Sequence, residues 1–260
     1  MARVVLVTGG SSGIGRAIAD RFSRNGDMVY ELSRSGRSRE GVTHLEADVT
    51  DPEAVSRAVR TVLDAQGRID VLVNNAGYGI SGPVESTPPA KARALFEVNV
   101  FGALHCIQAV LPAMRAAGAG HIINISSVAA PIAIPFQAFY SMGKAATNAL
   151  TLALRSELRP FRIRVCAVQP GDVRTGFTGA RVKFQDPVYG EAAERAVAAM
   201  ERDEQGGMPP EAVARVVFRA ASRRAPKALW TVGGKYKLFL FLFKLLPASL
   251  SSFIVGRMYG

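Results

Sequence analysis

The chain has 260 residues, of which 48% are hydrophobic and 20% charged, with 25 glycines and 14 prolines. That length and apolar content suit one globular domain that needs neither disulfides nor metals to fold, and they exclude a disordered chain. The net charge of +11 raises nucleic acid as a partner. Beyond Glu211, however, there is no acidic residue, while nine basic ones remain, several of them among bulky apolar residues such as those at 238–243. Basic and apolar side chains mixed in this way suit an acidic lipid surface better than a phosphate backbone, so no nucleic-acid partner is expected. Cys106 and Cys166 lie in apolar stretches, and His44, His105 and His121 are scattered. That is the pattern of buried thiols in a reducing compartment, with no metal site. The opening residues 1–7 are too short for a signal peptide and run into glycines, so a cytoplasmic protein is expected, with peripheral membrane contact through the tail.

Short β-branched runs alternate with longer helical patterns. In chain order the strands are expected at 4–7, 28–32, 44–46, 69–73, 121–125, 163–168 and 229–232, and the helices at 14–25, 52–66, 88–117, 139–158, 189–203 and 210–222. Several strands are almost wholly apolar, as in a parallel sheet covered by helices on both faces. The pattern predicts a single doubly wound α/β Rossmann-type domain over residues 1–260. Residues 175–209 read as a helical lid over the strand ends, and 233–260 as a basic, apolar helical tail.

After the first strand comes Thr8-Gly9-Gly10-Ser11-Ser12-Gly13-Ile14-Gly15, opening a helical pattern. Glycines there let the backbone approach a pyrophosphate, and the helix start supplies free N–H groups. The spacing Thr-Gly-x-x-x-Gly-x-Gly resembles that of the classical short-chain dehydrogenase/reductase family. Further residues carry the same resemblance: Asp48-Val49 ending the third strand, Asn74-Asn75-Ala76-Gly77 after the fourth, Asn99, Ser127 thirteen residues before Tyr140, Tyr140-x-x-x-Lys144, and Pro170-Gly171-x-Val173-x-Thr175. The closing stretch is similar to the hydroxysteroid and retinol dehydrogenase-like members.

The resemblance implies a nicotinamide cofactor held by Gly9, Ser11, Ser12, Gly13, Ile14, Gly15, Ser33, Arg34, Asp48, Val49, Asn75, Ala76, Gly77, Tyr140, Lys144, Pro170, Gly171, Val173 and Thr175, and Asn99, Ser127, Tyr140 and Lys144 as catalytic residues. Tyr140 would act as general acid/base for hydride transfer between nicotinamide and a carbonyl carbon, Ser127 would orient the substrate oxygen, and Asn99 would hold a relay water. A free phenol titrates near 10, and the Lys144 ammonium, on the same helix face, together with a cationic nicotinamide ring, is expected to pull Tyr140 down towards neutrality. One departure is Gly143, where the family usually has Ser or Ala; a glycine there loosens the helix or admits a close neighbour.

An acid at the end of the second strand selects NAD(H). Here Ser33 takes that place and Arg34 follows, so NADP(H) is favoured over NAD(H); Glu31, two residues earlier, is the competing acid. The lid supplies Phe177, Val182, Phe184, Val188, Tyr189 and Met200, and the site-proximal chain Tyr78, Val128, Phe136 and Phe139. They point to a lipophilic alcohol or carbonyl substrate such as a hydroxysteroid or retinoid. The alternatives are small or acyl-chain carbonyls, and a non-catalytic NADP(H)-binding protein. The resemblance further implies a homodimer or homotetramer built on the helices bearing Asn99 and Tyr140.

Overall fold

The computed structural model describes residues 2–259, so the first and last residues of the expected domain and tail, Met1 and Gly260, lie outside it. Seven parallel strands form one sheet in the order β3-β2-β1-β4-β6-β7-β9. They are β1 (Val4–Thr8), β2 (Met28–Ser33), β3 (Val42–Glu46), β4 (Val71–Asn74), β6 (Gly120–Ile125), β7 (Ile163–Gln169) and β9 (Leu229–Thr231). All seven expected strands are present, displaced by a residue or two at their ends.

Helices cover both faces because the strands are apolar on both. On one side α1 (Gly13–Ser23) and α7 (Pro210–Ala221) bury Ile18, Phe22, Val213 and Val217 against Val5, Val7, Val71 and Val73. On the other, α2 (Pro52–Gln66), α4 (Gly102–Ala117) and α5 (Ala138–Glu157) close over Leu6, Leu72 and Ile122. The local signals are plain at α2, where the Asp51 side chain caps the N–H groups of Glu53 and Ala54 and Gly67 ends the helix in the left-handed region (φ 71°).

The long helix expected at 88–117 is interrupted. It comprises α3 (Pro89–Phe96), a π turn at Glu97–Phe101 and α4. By length and composition this run could cross a bilayer, yet Cys106, Ile107, Val110 and Met114 pack it onto the sheet. A π turn inside an α-helix is rare and tends to mark a functional position; here it carries Asn99.

Two short strands escaped the sequence reading. Ile80–Ser81 (β5) pairs in parallel with Val182–Lys183 (β8), fastening the lid to the loop after β4. Two-residue strands have no periodicity to read. The lid's helix is α6 (Gly190–Gln205), and the tail forms α8 (Gly234–Leu245) and α9 (Ala248–Tyr259), separated at Pro247. Leu240 and Val255 dock the tail onto Ile132.

Candidate active site

The sheet order reverses between β1 and β4, which opens a crevice beyond their C-terminal ends. Thr8 ties the two strand ends together, its hydroxyl accepting the N–H groups of Asn75 (2.9 Å) and Ala76 (3.0 Å). The Asn75 amide in turn donates to the carbonyls of Thr8 (3.0 Å) and Gly9 (3.2 Å), closing the glycine loop against β4.

The loop requires its glycines. Gly9 (φ 64°) and Gly13 (φ 52°) are left-handed, and a Cβ on Gly15 would stand 2.2 Å from the Gly9 carbonyl oxygen. Ser12 makes no side-chain cap to α1, so the first-turn N–H groups have no helical partner and face the crevice mouth. Thr175 comes over this turn, its Cβ 3.5 Å from where a Cβ of Gly13 would be. Tight backbone, free donors and a positive helix end fit a dinucleotide pyrophosphate.

At one end of the crevice β2 stops at Ser33, whose hydroxyl donates to the Ser35 carbonyl (3.0 Å). The next residue, Arg34, lines an open depression with Ser11, Ser12, Ser35, Gly36, Arg37, His44 and Glu46. Glu31 does not reach the strand tip: it is wholly buried beneath Gly10, two residue pairs back from the end of the β2–β3 ladder. Asp48 stands two residues past β3 rather than at its end, and its carboxylate accepts the N–H (2.9 Å) and hydroxyl (2.8 Å) of Thr50. Val49 is buried against Gly102.

At the other end α5 is fastened to the sheet by a buried polar chain. Asn74 donates to Asn124 (2.9 Å) and Asn124 to the Thr151 hydroxyl (2.9 Å). This holds Tyr140 and Lys144 one helical turn apart over the end of β6. The Lys144 ammonium donates to the Ile125 carbonyl (2.8 Å) and lies 5.6 Å from the centre of the Tyr140 ring. Asn99 pins the loop after β4 from the side, accepting the Tyr78 N–H and donating to the Tyr78 carbonyl, both at 3.0 Å. No neighbour within the chain requires a glycine at 143: a Cβ there would meet Leu95 at 3.4 Å and the Asn99 Cβ at 4.0 Å, ordinary contact distances.

The expected effect of Lys144 on Tyr140 is not met in the chain itself. Burial pushes the phenol up to about 12, with Glu204 and Asp172 adding to the rise, while Ser127 and Arg181 oppose it. The ammonium is committed to a backbone carbonyl, and burial lowers it to about 8. Tyr140 is therefore held as a neutral phenol.

Phe177, expected from the sequence to face the substrate, does reach Tyr140, whereas Arg181, Glu204 and Tyr236 carried no sequence signal as part of the site. Phe177 stands edge-on to the Tyr140 ring (centroids 5.7 Å apart), and the Arg181 guanidinium lies 5.8 Å from the centre of the Phe177 ring. The Arg181 side chain is fully buried and paired with Glu204, which also accepts the Thr178 hydroxyl (2.6 Å). The tail contributes Tyr236, whose ring lies where a Cβ of Gly171 would be. Of the apolar residues expected to face substrate, Phe136 and Tyr189 stack edge-on at 6.1 Å, Met200 is buried in the lid, and Val188 is exposed.

Comparison with known proteins agrees with this arrangement. Residues 3–186 match the family model described as short chain dehydrogenase. The 3-ketodihydrosphingosine reductase of Bacteroides thetaiotaomicron is 39% identical over 236 residues, covering 89% of this chain and 88% of that one. The NADPH-dependent 3-dehydrocapnine reductase of Ornithobacterium rhinotracheale is 33% identical over 266 residues, covering 94% and 93%. The crystal structure of a short-chain dehydrogenase from Streptomyces avermitilis superposes with a TM-score of 0.81 at 34% identity, covering 93% and 92%. With its parallel Rossmann-like sheet and glycine loop, this chain belongs to the short-chain dehydrogenase/reductase family and is an oxidoreductase of alcohols and carbonyls.

Proposed function

We propose that the protein reduces a ketone on a long-chain, lipophilic substrate with NADPH, using Tyr140 as the proton donor. The observation that carries the reading is geometric: Tyr140 and Lys144 stand one turn apart on α5, with the Lys144 ammonium anchored on the Ile125 carbonyl 5.6 Å from the centre of the phenol ring. A neutral phenol suits protonation of the alkoxide that develops when a ketone is reduced. When bound, the cofactor would supply the hydride. Ser127 would orient the carbonyl oxygen towards the phenol. Lys144, anchored on Ile125, would hold the nicotinamide ribose and lend positive charge to the site. Asn99 holds the Tyr78 loop in register and would carry the water through which Lys144 exchanges protons with solvent.

Ser33 and Arg34 at the tip of β2, with Arg37 beside them, favour a 2′-phosphate over a free 2′-hydroxyl. Glycine-loop, adenine-side and nicotinamide-side contacts are assigned to the residues the motifs named, Ser11 to Gly15, Asp48, Val49, Asn75 to Gly77, and Pro170, Gly171, Val173 and Thr175.

A lipid substrate is supported by the tail. One face of α8–α9 is docked beside the site, and the other leaves Phe241, Leu245 and Phe253 at least 60% exposed among Lys237, Lys244 and Arg257. Such a face suits the surface of an anionic bilayer from which a lipid ketone could be drawn. Exposed Phe101, Met142 and Leu152 on the π turn and α5 favour pairing of two copies through these helices. The relatives named for 3-ketodihydrosphingosine and 3-dehydrocapnine favour a long-chain ketone over steroids, retinoids or small carbonyls.

The test is NADPH consumption with 3-ketodihydrosphingosine, a steroid ketone, retinal and a small diketone in parallel. Turnover of the long-chain ketone well above the others supports the reading. Turnover of the small diketone alone points to small carbonyls. Tight NADPH binding with no turnover of any of them overturns the enzymatic role of the site.

A further inference from the structure

Glu31 occupies an unusual place. It lies in β2, wholly buried, beneath the glycine loop. One carboxylate oxygen takes Nδ1 of His44, its register partner on β3. The other oxygen has no partner. Burying a carboxylate with half of its acceptors unmet is costly, and a well-packed apolar pair at this site would fold at least as well. A purely structural role therefore accounts poorly for it.

The consequence of the arrangement is the orientation of His44. Gly36 closes over the Nδ1 edge of the ring, since a Cβ there would lie 2.8 Å from Nδ1 and 3.0 Å from Cε1. Glu31 takes Nδ1 itself, so Nδ1 carries the proton in the pair. The side chain is 13% exposed and lines the depression shared by Ser11, Ser12, Arg34 and Arg37. Nε2, the other ring nitrogen, makes no hydrogen bond among the described residues and is not a buried atom without a partner.

We propose that His44 is a further anchor for the cofactor's 2′-phosphate, with Glu31 as the positioning residue that fixes its ring through Nδ1. The inference rests on the NADP(H) reading and deepens it. Arg34 and Arg37 approach on flexible stems from the rim. His44 comes from the strand below and is fixed before the ligand arrives, so less side-chain freedom is lost on binding. Glu46 also borders the depression.

The test is equilibrium binding of NADPH and NADH to the full chain, followed by nicotinamide fluorescence, so it needs no substrate. For His44→Phe the NADPH dissociation constant should rise about tenfold, the scale of one charge-assisted hydrogen bond, with NADH changed less than about twofold. His44→Gln is the second variant: its amide nitrogen must serve Glu31, which turns its oxygen towards the phosphate, so the NADPH preference should fall there too. Glu31→Gln should lower the preference part-way, because the amide holds the ring less firmly through Nδ1 than the carboxylate does. A merely structural role would weaken both nucleotides alike, and that result, or an unchanged ratio, overturns the proposal. Arg34→Asp separates the two readings. If the wild type prefers NADPH and Arg34→Asp abolishes the preference while both His44 variants keep it, only the role of His44 is lost. If the wild type has no preference for NADPH, the cofactor reading fails as well.

Discussion

The Tyr236 hydroxyl and Asp172 hold each other in both directions: the phenol donates to the Asp172 carboxylate and accepts the Asp172 backbone N–H at 3.0 Å. Asp172 directly follows Pro170-Gly171, and Tyr236 belongs to the tail helix α8, so the tail is built into the turn assigned to the nicotinamide. Removing the hydroxyl leaves a carboxylate and an N–H without partners. Tyr236→Phe should cost about 1–3 kcal/mol of stability and weaken NADPH binding. Chemical unfolding and nucleotide titration check both, and full retention of nucleotide affinity would detach the tail from the site.

Arg181 and Glu204 form a pair within the lid whose guanidinium is fully buried. Glu204→Gln strands that cation without a counter-charge, and breaking a buried pair in this way costs about 3–5 kcal/mol. The expected result in urea is a marked loss of stability. A loss under about 1 kcal/mol would mean that water reaches the guanidinium.

Lys144 gives a pH signature of sign opposite to the usual ion-paired lysine. Burial lowers it from 10.5 to about 8. Between those values the unfolded chain binds more protons than the folded one, so stability from this site rises with pH through that window. The unfolding free energy of the wild type minus that of Lys144→Met should therefore climb between these limits and be flat below pH 7. A fall across the same window would mean that Lys144 is stabilised as an ammonium.

Gly143 lies in the interior of α5, with Leu95 at ordinary contact distance from an added Cβ. Gly143→Ala should stabilise the protein by about 0.5–1 kcal/mol through helix propensity and lower unfolded-state entropy. Thermal unfolding reads this directly, and destabilisation would show that Leu95 and Val100 cannot yield.

The sheet was legible because its strands are short apolar runs set between amphipathic helices, and the site because its residues recur at fixed spacings: glycines after β1, Asn75 after β4, Tyr140 four residues before Lys144. What escaped the sequence lies in interactions without a local pattern. The anchor of Lys144 is a backbone carbonyl, Ile125, which no side-chain motif can announce. Arg181, Glu204 and Tyr236 reach Tyr140 or its neighbours from segments remote in the chain. The π turn interrupts a run whose composition reads as continuous helix. The direction of the Tyr140 shift also depends on burial, which outweighs the charge placed beside it by sequence spacing.

The central claim, that Tyr140 delivers the proton for ketone reduction, is tested most directly by Tyr140→Phe assayed for NADPH binding and for turnover on the same preparation. The ring and its packing on Phe177 are kept and only the hydroxyl is removed. The expected result is NADPH affinity within about twofold of the wild type with turnover lowered by roughly 10²–10⁴, the scale of general acid catalysis. Turnover close to that of the wild type would contradict the account and place the proton donor elsewhere.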